Sequence, residues 1–241
     1  MVYRIVIALV MMATSSYFDL KSREVADKLW LLFGAVAVAS VAWEYFAGTL
    51  EPTLFLLRVV LSGVVGLSVY YFGMFGGADS KALLVMALFL ESGPSFKGTL
   101  IPTATVAVFV NALFATIAIP VVIGLTNLRR IVKGEKIFEG FEHESAWRKL
   151  AISFIGYKLP VHSKSYHFKL ETMKDGRKRF AFPLSANEDF ATEGGVWATP
   201  GIPFLVLLTA GLIMMALHGE ILQDILQVLF GSSVNRLEWP I

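Results

Sequence analysis

Long apolar runs separated by short polar stretches dominate this chain. Because a helix that crosses a bilayer needs about 20 mostly apolar residues, the pattern predicts an all-α polytopic membrane protein with six transmembrane helices. The runs cover approximately residues 2–18, 29–46, 53–72, 82–90, 99–125 and 202–217, and the fourth is short for a span. Pro120 is expected to kink or break the fifth run near its end, since proline lacks the N–H that a helix needs. A cleaved signal peptide is an alternative for the first run, although the later spans need no such leader.

A polar segment, residues 127–201, separates the fifth run from the sixth. Residues 142–154 are compatible with a short amphipathic helix. Residues 166–171 and 179–182 alternate between apolar and polar, and the turn signal Asp175-Gly176 lies between them, which predicts a β-hairpin. The segment is therefore expected to form a small cytoplasmic α+β module.

This reading divides the chain into three parts. Residues 1–126 form a transmembrane core of five spans, residues 127–201 form the polar module, and residues 202–241 hold the sixth span and a further helix. That helix, at 219–230, has apolar residues at helical spacing. It is either an interfacial helix on the outer surface or a core or oligomer-contact helix.

The composition agrees with a membrane protein. The chain is 56% hydrophobic and 17% charged, whereas ordinary soluble domains carry roughly 25% charged residues. The absence of cysteine excludes disulfides, thiol catalysis and thiolate metal sites. His143, His162 and His167 lack the close helical spacing of a metal site. We expect no metal, no cofactor and no nucleic-acid partner.

Lysine and arginine in the loops indicate the orientation, because cytoplasmic loops are enriched in them. Basic residues follow the first run, precede the fourth and follow the fifth, and they comprise Lys21, Arg23, Lys28, Lys81, Arg129, Arg130, Lys133 and Lys136. The alternate loops hold only Lys97. We therefore expect a multi-pass protein of the cell membrane with its N-terminus outside and its polar module in the cytoplasm, with Arg4 as a minor disagreement.

Two acids stand at the expected cytoplasmic edge. Asp19 ends the first run, and Asp79 follows the glycine-rich stretch Gly73–Ala78 at the start of the fourth. Acids where apolar helices meet are costly and are candidates for function. Asp79 could alternatively cap its helix, and Asp19 could be a solvated residue or a partner for Lys21 or Arg23. A small ion- or proton-coupled transporter, with both acids on the ion path, is the alternative function.

As a pair, the acids suit peptide hydrolysis. Two carboxylates close together cannot both ionise cheaply, so one can activate water while the protonated one polarises a peptide carbonyl. Glycine has no Cβ, so Gly76 and Gly77 would let a substrate backbone approach Asp79.

Three segments carry a family resemblance. The stretch Gly76–Asp79 matches the G-x-hydrophobic-D form of the GxGD motif of intramembrane aspartic proteases, and the stretch Phe18–Val25 resembles the first aspartate region of prepilin peptidases. With Thr199–Pro203 before the last span, the whole chain resembles archaeal preflagellin peptidases. The resemblance implies an aspartic endopeptidase in which Asp19 and Asp79 remove short basic leaders from preflagellin or pilin-like precursors at the cytoplasmic face. The missing cysteines depart from the zinc-binding loop of bacterial prepilin peptidases, and no N-methyltransferase activity is expected.

Overall fold

The computed structural model describes residues 2–72, 76–90, 101, 103–160, 166–174, 176–181, 191 and 194–231. Its helices and strands, in chain order, are α1 (Val2–Ser22), α2 (Asp27–Phe46), α3 (Pro52–Tyr71), α4 (Gly77–Leu90), α5 (Ala104–Thr116), α6 (Ala118–Val132), α7 (Ala146–Ile155), β1 (Tyr157–Lys158), β2 (His167–Lys169), β3 (Glu171–Lys174), β4 (Arg177–Phe180), β5 (Trp197–Pro200), α8 (Phe204–Leu217) and α9 (Ile221–Phe230). Two compact units result. One comprises Met1–Ala115 with Pro203–Ile241, and the other comprises Thr116–Ile202.

The expectation of six spans is met in part. Four helical stretches of the described chain are long and apolar enough to cross a membrane: Tyr3–Ser22, Asp27–Phe46, Pro52–Tyr71 and Ala104–Val132. A fifth is reached if α8 and α9, which meet at an angle of 63°, count as one broken span. The helix α4, with 14 residues, is shorter than the usual length of about 20 residues. The chain is thus a multi-pass membrane protein with four or five candidate spans.

The helix α4 is central to the first unit. It packs against α1, α2, α3 and α8, and most of its side chains are buried. Its approach to α3 depends on Gly66, where an added Cβ would lie 3.4 Å from Cβ of Leu83. On another side of the unit, an added Cβ at Gly211 of α8 would lie 2.5 Å from the backbone oxygen of Val108 in α5. Both contacts are helix–helix approaches that small residues permit, as is common in membrane proteins.

Arg4 is buried and paired. Its Nη2 lies 2.5 Å from Oε1 of Glu44, and its guanidinium donates to the backbone oxygens of Phe89 and Ser40 at 3.4 and 3.3 Å. These contacts join the start of α1 to the ends of α2 and α4. The charge of Arg4 is neutralised within the bundle, which removes the physical basis for counting it as a free basic residue against the expected orientation.

The junction between α8 and α9 is held by Asn111 of α5. Its Nδ2 donates to the backbone oxygen of Gly219 at 2.9 Å, and its Oδ1 accepts the N–H of Ile221 at 3.1 Å. The helix predicted for residues 219–230 is confirmed, since residues 221–230 form α9. Its last residues Val228, Leu229 and Phe230 are exposed.

The second unit contains α6, α7 and two small sheets. The helix break expected at Pro120 is confirmed, since α5 ends at Thr116 and α6 begins at Ala118. The predicted helix at 142–154 is α7, whose first turn is capped by Ser145 through a 3.4 Å hydrogen bond from the N–H of Arg148. Trp197 and Ile152 lie in the core of this unit.

The β-hairpin forms at the predicted turn but with a different first strand. β3 pairs with β4 in a register that sets Glu171 opposite Phe180 and Lys174 opposite Arg177. Residues 167–169 were expected in this hairpin, and they instead form β2, which pairs antiparallel with β5. A three-stranded sheet of order β1-β5-β2 results. Asp175 and Phe182 lie outside the described residues.

Candidate active site

Asp79 lies in the first turn of α4, and its side chain is buried. Its Oδ2 accepts a 3.0 Å hydrogen bond from the N–H of Gly76, the residue directly before the helix. The first N–H groups of a helix have no intrahelical partner, and the macrodipole there favours a negative charge. The predicted capping role is confirmed, and it fixes the position of the carboxylate by using one of its two oxygens.

Asp19 lies near the end of α1 and is half-buried. A carboxylate at the C-terminal end of its own helix is disfavoured. The structure offsets this because the carboxylate accepts the backbone N–H of Leu205, in the first turn of α8. The positive charge of Arg23, one of the two predicted partners, also acts on it. Asp19 is therefore held in place and is not a solvated loop residue.

The end of α1 is set by Arg23. This residue has a φ of 59°, and it is the only described residue other than glycine with a positive φ. Its N–H donates to the backbone oxygen of Asp19 at 3.2 Å, which is the hydrogen bond of an αL helix cap. A non-glycine residue in this conformation costs roughly 1–3 kcal/mol and persists where the surroundings enforce it. Here it ends the helix about one turn after the acid.

The two acids act on each other electrostatically. The charge of Asp19 acts on the carboxyl group of Asp79, so the side chains lie within electrostatic reach of each other. A pocket of about 580 Å³ borders the segments that carry them. Its lining includes Phe18 and Ala78, the residues directly before the two acids, together with the segment 22–27, but neither acid itself.

Comparison with known proteins shows which proteins this chain is similar to. The chain is 25% identical over 228 residues to the preflagellin peptidase of Methanococcus maripaludis, with 88% of this chain and 93% of that protein covered. It is 24% identical over 245 residues to the preflagellin peptidase of Methanocaldococcus jannaschii, with 90% and 94% covered. Residues 6–124, which include both acids, match the model of the type IV leader peptidase family. The chain is thus a relative of the leader peptidases in this family.

In this leader peptidase, the fold itself does not call for glycine at positions 76 and 77. Neither residue has a positive φ, and an added Cβ would make only ordinary contacts. At Gly77 it would lie 3.5 Å from the ring of Tyr70, and at Gly76 it would lie 3.5 Å from Oδ2 of Asp79. A side chain at position 76 would therefore lie against the Asp79 carboxylate. Gly73 lies outside the described residues.

The helix α8 is the part of the site that the sequence pattern did not reveal. Its N-cap is Pro203, which provides no side-chain hydrogen bond, so the free N–H groups of the first turn need partners from elsewhere. Asp19 is one such partner. Ser16, one turn earlier on α1, donates to the backbone oxygen of Leu205 at 2.9 Å and shares a 2.7 Å hydrogen bond with Thr209. A proline that opens an apolar run was the available signal for a helix start at this point.

Of the three histidines in the polar module, His167 has a hydrogen-bond partner in the described structure. His167 is buried, and its Nε2 shares a 2.6 Å hydrogen bond with the hydroxyl of Tyr157. His162 lies outside the described residues. Within the part of the chain that is described, no three side chains of His, Cys, Asp or Glu converge as a metal site.

Proposed function

We propose that this leader peptidase cleaves preflagellin or similar type IV pilin-like precursors, with Asp19 and Asp79 as its catalytic pair. The observation that carries the proposal is that the two acids, 60 positions apart in sequence, lie within electrostatic reach of each other. The substrate class is supported by the relatives named preflagellin peptidase, which match about nine-tenths of this chain.

The chemistry follows from two adjacent carboxylates that share one proton. The ionised carboxylate takes a proton from a water molecule, whose oxygen attacks the carbonyl carbon of the scissile peptide. The protonated carboxylate donates to the carbonyl oxygen. The C–N bond then breaks. The leaving amine takes the proton that came from water, and a hydroxyl of the tetrahedral intermediate returns its proton to the other carboxylate as the new carboxyl group forms, so the pair again holds one proton. No metal or cofactor enters this scheme, and the separate protons belong to the pair rather than to either residue.

Gly76 contributes to the proposed site because it has no side chain. Its N–H holds Oδ2 of Asp79, and an added Cβ would lie 3.5 Å from that oxygen. The proposal is that the substrate backbone approaches the acid at this point, where glycine has no side chain. Gly77 is next to it but faces Tyr70, so the proposal assigns the closer approach to Gly76.

We place the site at the cytoplasmic face. The support is the distribution of basic residues in the loops, together with the internal pairing of Arg4, the one basic residue that disagreed. In a transporter, the acids and the breaks in the helices would lie near the middle of the bilayer. Asp19 and Asp79 instead lie in the end turns of their helices, which favours the peptidase.

The test is cleavage of a purified precursor by the Asp19→Asn and Asp79→Asn variants. Asparagine keeps an oxygen that can accept the N–H of Leu205 or Gly76, so the fold is expected to persist while proton transfer is lost. Each variant should lose cleavage by at least about 10³-fold, as expected for loss of a catalytic acid or base.

The matched control is Asp224→Asn. Asp224 is an exposed acid on α9 that pairs with His218, and its substitution should leave cleavage unchanged. Cleavage at the wild-type rate by either folded site variant would refute the catalytic pair. Loss of cleavage in the control as well would mean that the assay reports general damage.

A further inference from the structure

The helix α7 exposes apolar residues on the face that points away from the core of the second unit. Ile152 points into the core of the second unit and is fully buried. Trp147, Leu150 and Phe154 share the opposite face, with 74%, 52% and 45% of their surfaces exposed. Their spacing of three and four residues places them in one stripe. The outward face of α7 is therefore apolar, whereas a helix on a water-soluble module normally turns polar residues outward.

The end of this stripe packs against the helix α6. The Nδ2 of Asn127 donates to the backbone oxygens of Ser153 and Gly156 at 2.8 and 2.7 Å, which fixes the end of α7 against α6. At Gly124 an added Cβ would lie 2.7 Å from ring carbons of Phe154. The Phe154 ring thus rests directly on the backbone of α6.

The helix α6 forms the last part of the candidate span Ala104–Val132. Gly124 precedes Val132 by eight residues, or about 12 Å along the axis at 1.5 Å per residue. Most exposed side chains of this part of the span are apolar, and they comprise Val121, Val122, Leu125, Leu128, Ile131 and Val132. Thr126 and Arg129 are the polar exceptions. Phe154 is therefore anchored on a mostly apolar helix surface near the end of a candidate span.

We propose that α7 is a membrane-interface helix, with Trp147, Leu150 and Phe154 inserted into the boundary between lipid headgroups and acyl chains. The composition fits this environment, since α7 contains Arg148 and Lys149 and no acidic residue. Tryptophan prefers the interface, and basic residues beside an apolar face favour an anionic lipid surface. The stripe also continues the mostly apolar surface of α6. The polar module is thus attached to the bilayer by a surface of its own, separately from the candidate active site.

The absence of native cysteine allows a direct test with single spin labels in the full-length protein. Leu150→Cys would carry the label on the stripe. Met173→Cys, an apolar residue of β3 that is 65% exposed, is the matched control. Both proteins are reconstituted into vesicles containing anionic phospholipid, and collision of the label with oxygen, which enters lipid, is compared with collision with a water-soluble nickel chelate.

The label at 150 should collide more with oxygen than with the nickel chelate, and the label at 173 should show the reverse. If label 150 matches label 173, α7 faces water and the proposal fails. If label 150 is shielded from both reagents, a protein partner or a second copy covers the helix, and the proposal also fails. Trp147→Cys provides a second label on the stripe should Leu150→Cys fail to fold, as judged by its cleavage of precursor.

Discussion

Gly76→Ala isolates the proposed approach of substrate to Asp79. The substitution adds one methyl group 3.5 Å from Oδ2 of Asp79. The backbone of Gly76 does not need the left-handed conformation that only glycine adopts freely, and its N–H remains available for the bond to Oδ2. The change therefore places a methyl group against the carboxylate without removing either of the proposed catalytic acids.

Two magnitudes separate an effect on cleavage from an effect on folding. Alanine is a poorer N-cap residue than glycine, so the free energy of unfolding should fall by about 1 kcal/mol or less. A water or peptide group bonded to a carboxylate oxygen lies at about 2.8 Å, and a methyl at the distance given above competes for that space. Displacing a reacting group by about 1 Å can lower the rate by roughly 100-fold. We expect kcat/KM to fall by about 10- to 100-fold, which corresponds to about 1.4–2.8 kcal/mol in the activation barrier.

The assay is the initial rate of precursor cleavage by purified enzyme in vesicles. The matched control is Gly63→Ala in α3, where an added Cβ would also have its nearest neighbour at 3.5 Å, in this case a flexible methyl of Leu84. That variant should cleave at the wild-type rate. The reasoning is refuted if folded Gly76→Ala retains wild-type kcat/KM, because the side of Asp79 next to Gly76 would then have no part in substrate approach.

Two further predictions concern the bundle that carries the site. Arg4→Ala leaves Glu44 without the partner it has at 2.5 Å, so the free energy of unfolding should fall by about 3–5 kcal/mol. The double variant Arg4→Met, Glu44→Leu should recover most of the thermal stability in detergent. A double variant that is no more stable than Arg4→Ala would contradict this. Gly211→Ala places a Cβ 2.5 Å from a backbone oxygen of α5, so the helices must separate and the melting temperature should drop, whereas an unchanged melting temperature would show that this approach is not tight.

Local patterns predicted the local structure. The Asp-Gly turn between alternating residues gave the position of the β3–β4 hairpin, and the missing N–H of Pro120 explains the break between α5 and α6. The lengths of the apolar runs placed Asp19 and Asp79 in the end turns of helices. Each of these features depends on neighbours within a few residues, and such neighbours are visible in a sequence.

Partners distant in the chain were not predicted, because no local pattern specifies them. The strand β2 joins β5, some 30 residues later, in place of the nearby β4. Arg4 finds its charge partner at Glu44. Asp19 receives its hydrogen bond from the N–H of Leu205. Every residue except proline has such a backbone group, so the residue type does not indicate this partner. All three depend on how elements pack in three dimensions.

The helix α8 helps to position Asp19, one of the two proposed catalytic acids. The residues matched by the family model, 6–124, contain both acids, but they lack the helix whose first N–H groups receive Asp19. Without α8, Asp19 would stand at the unfavourable end of α1 with no compensating donor, and Ser16 would lose both Leu205 and Thr209 as partners. Asp79 differs, because its carboxylate accepts the N–H of Gly76 within its own segment. One acid is thus positioned locally and the other with the help of α8, so a proposed pair that needs both acids also needs α1 and α8 to be folded together.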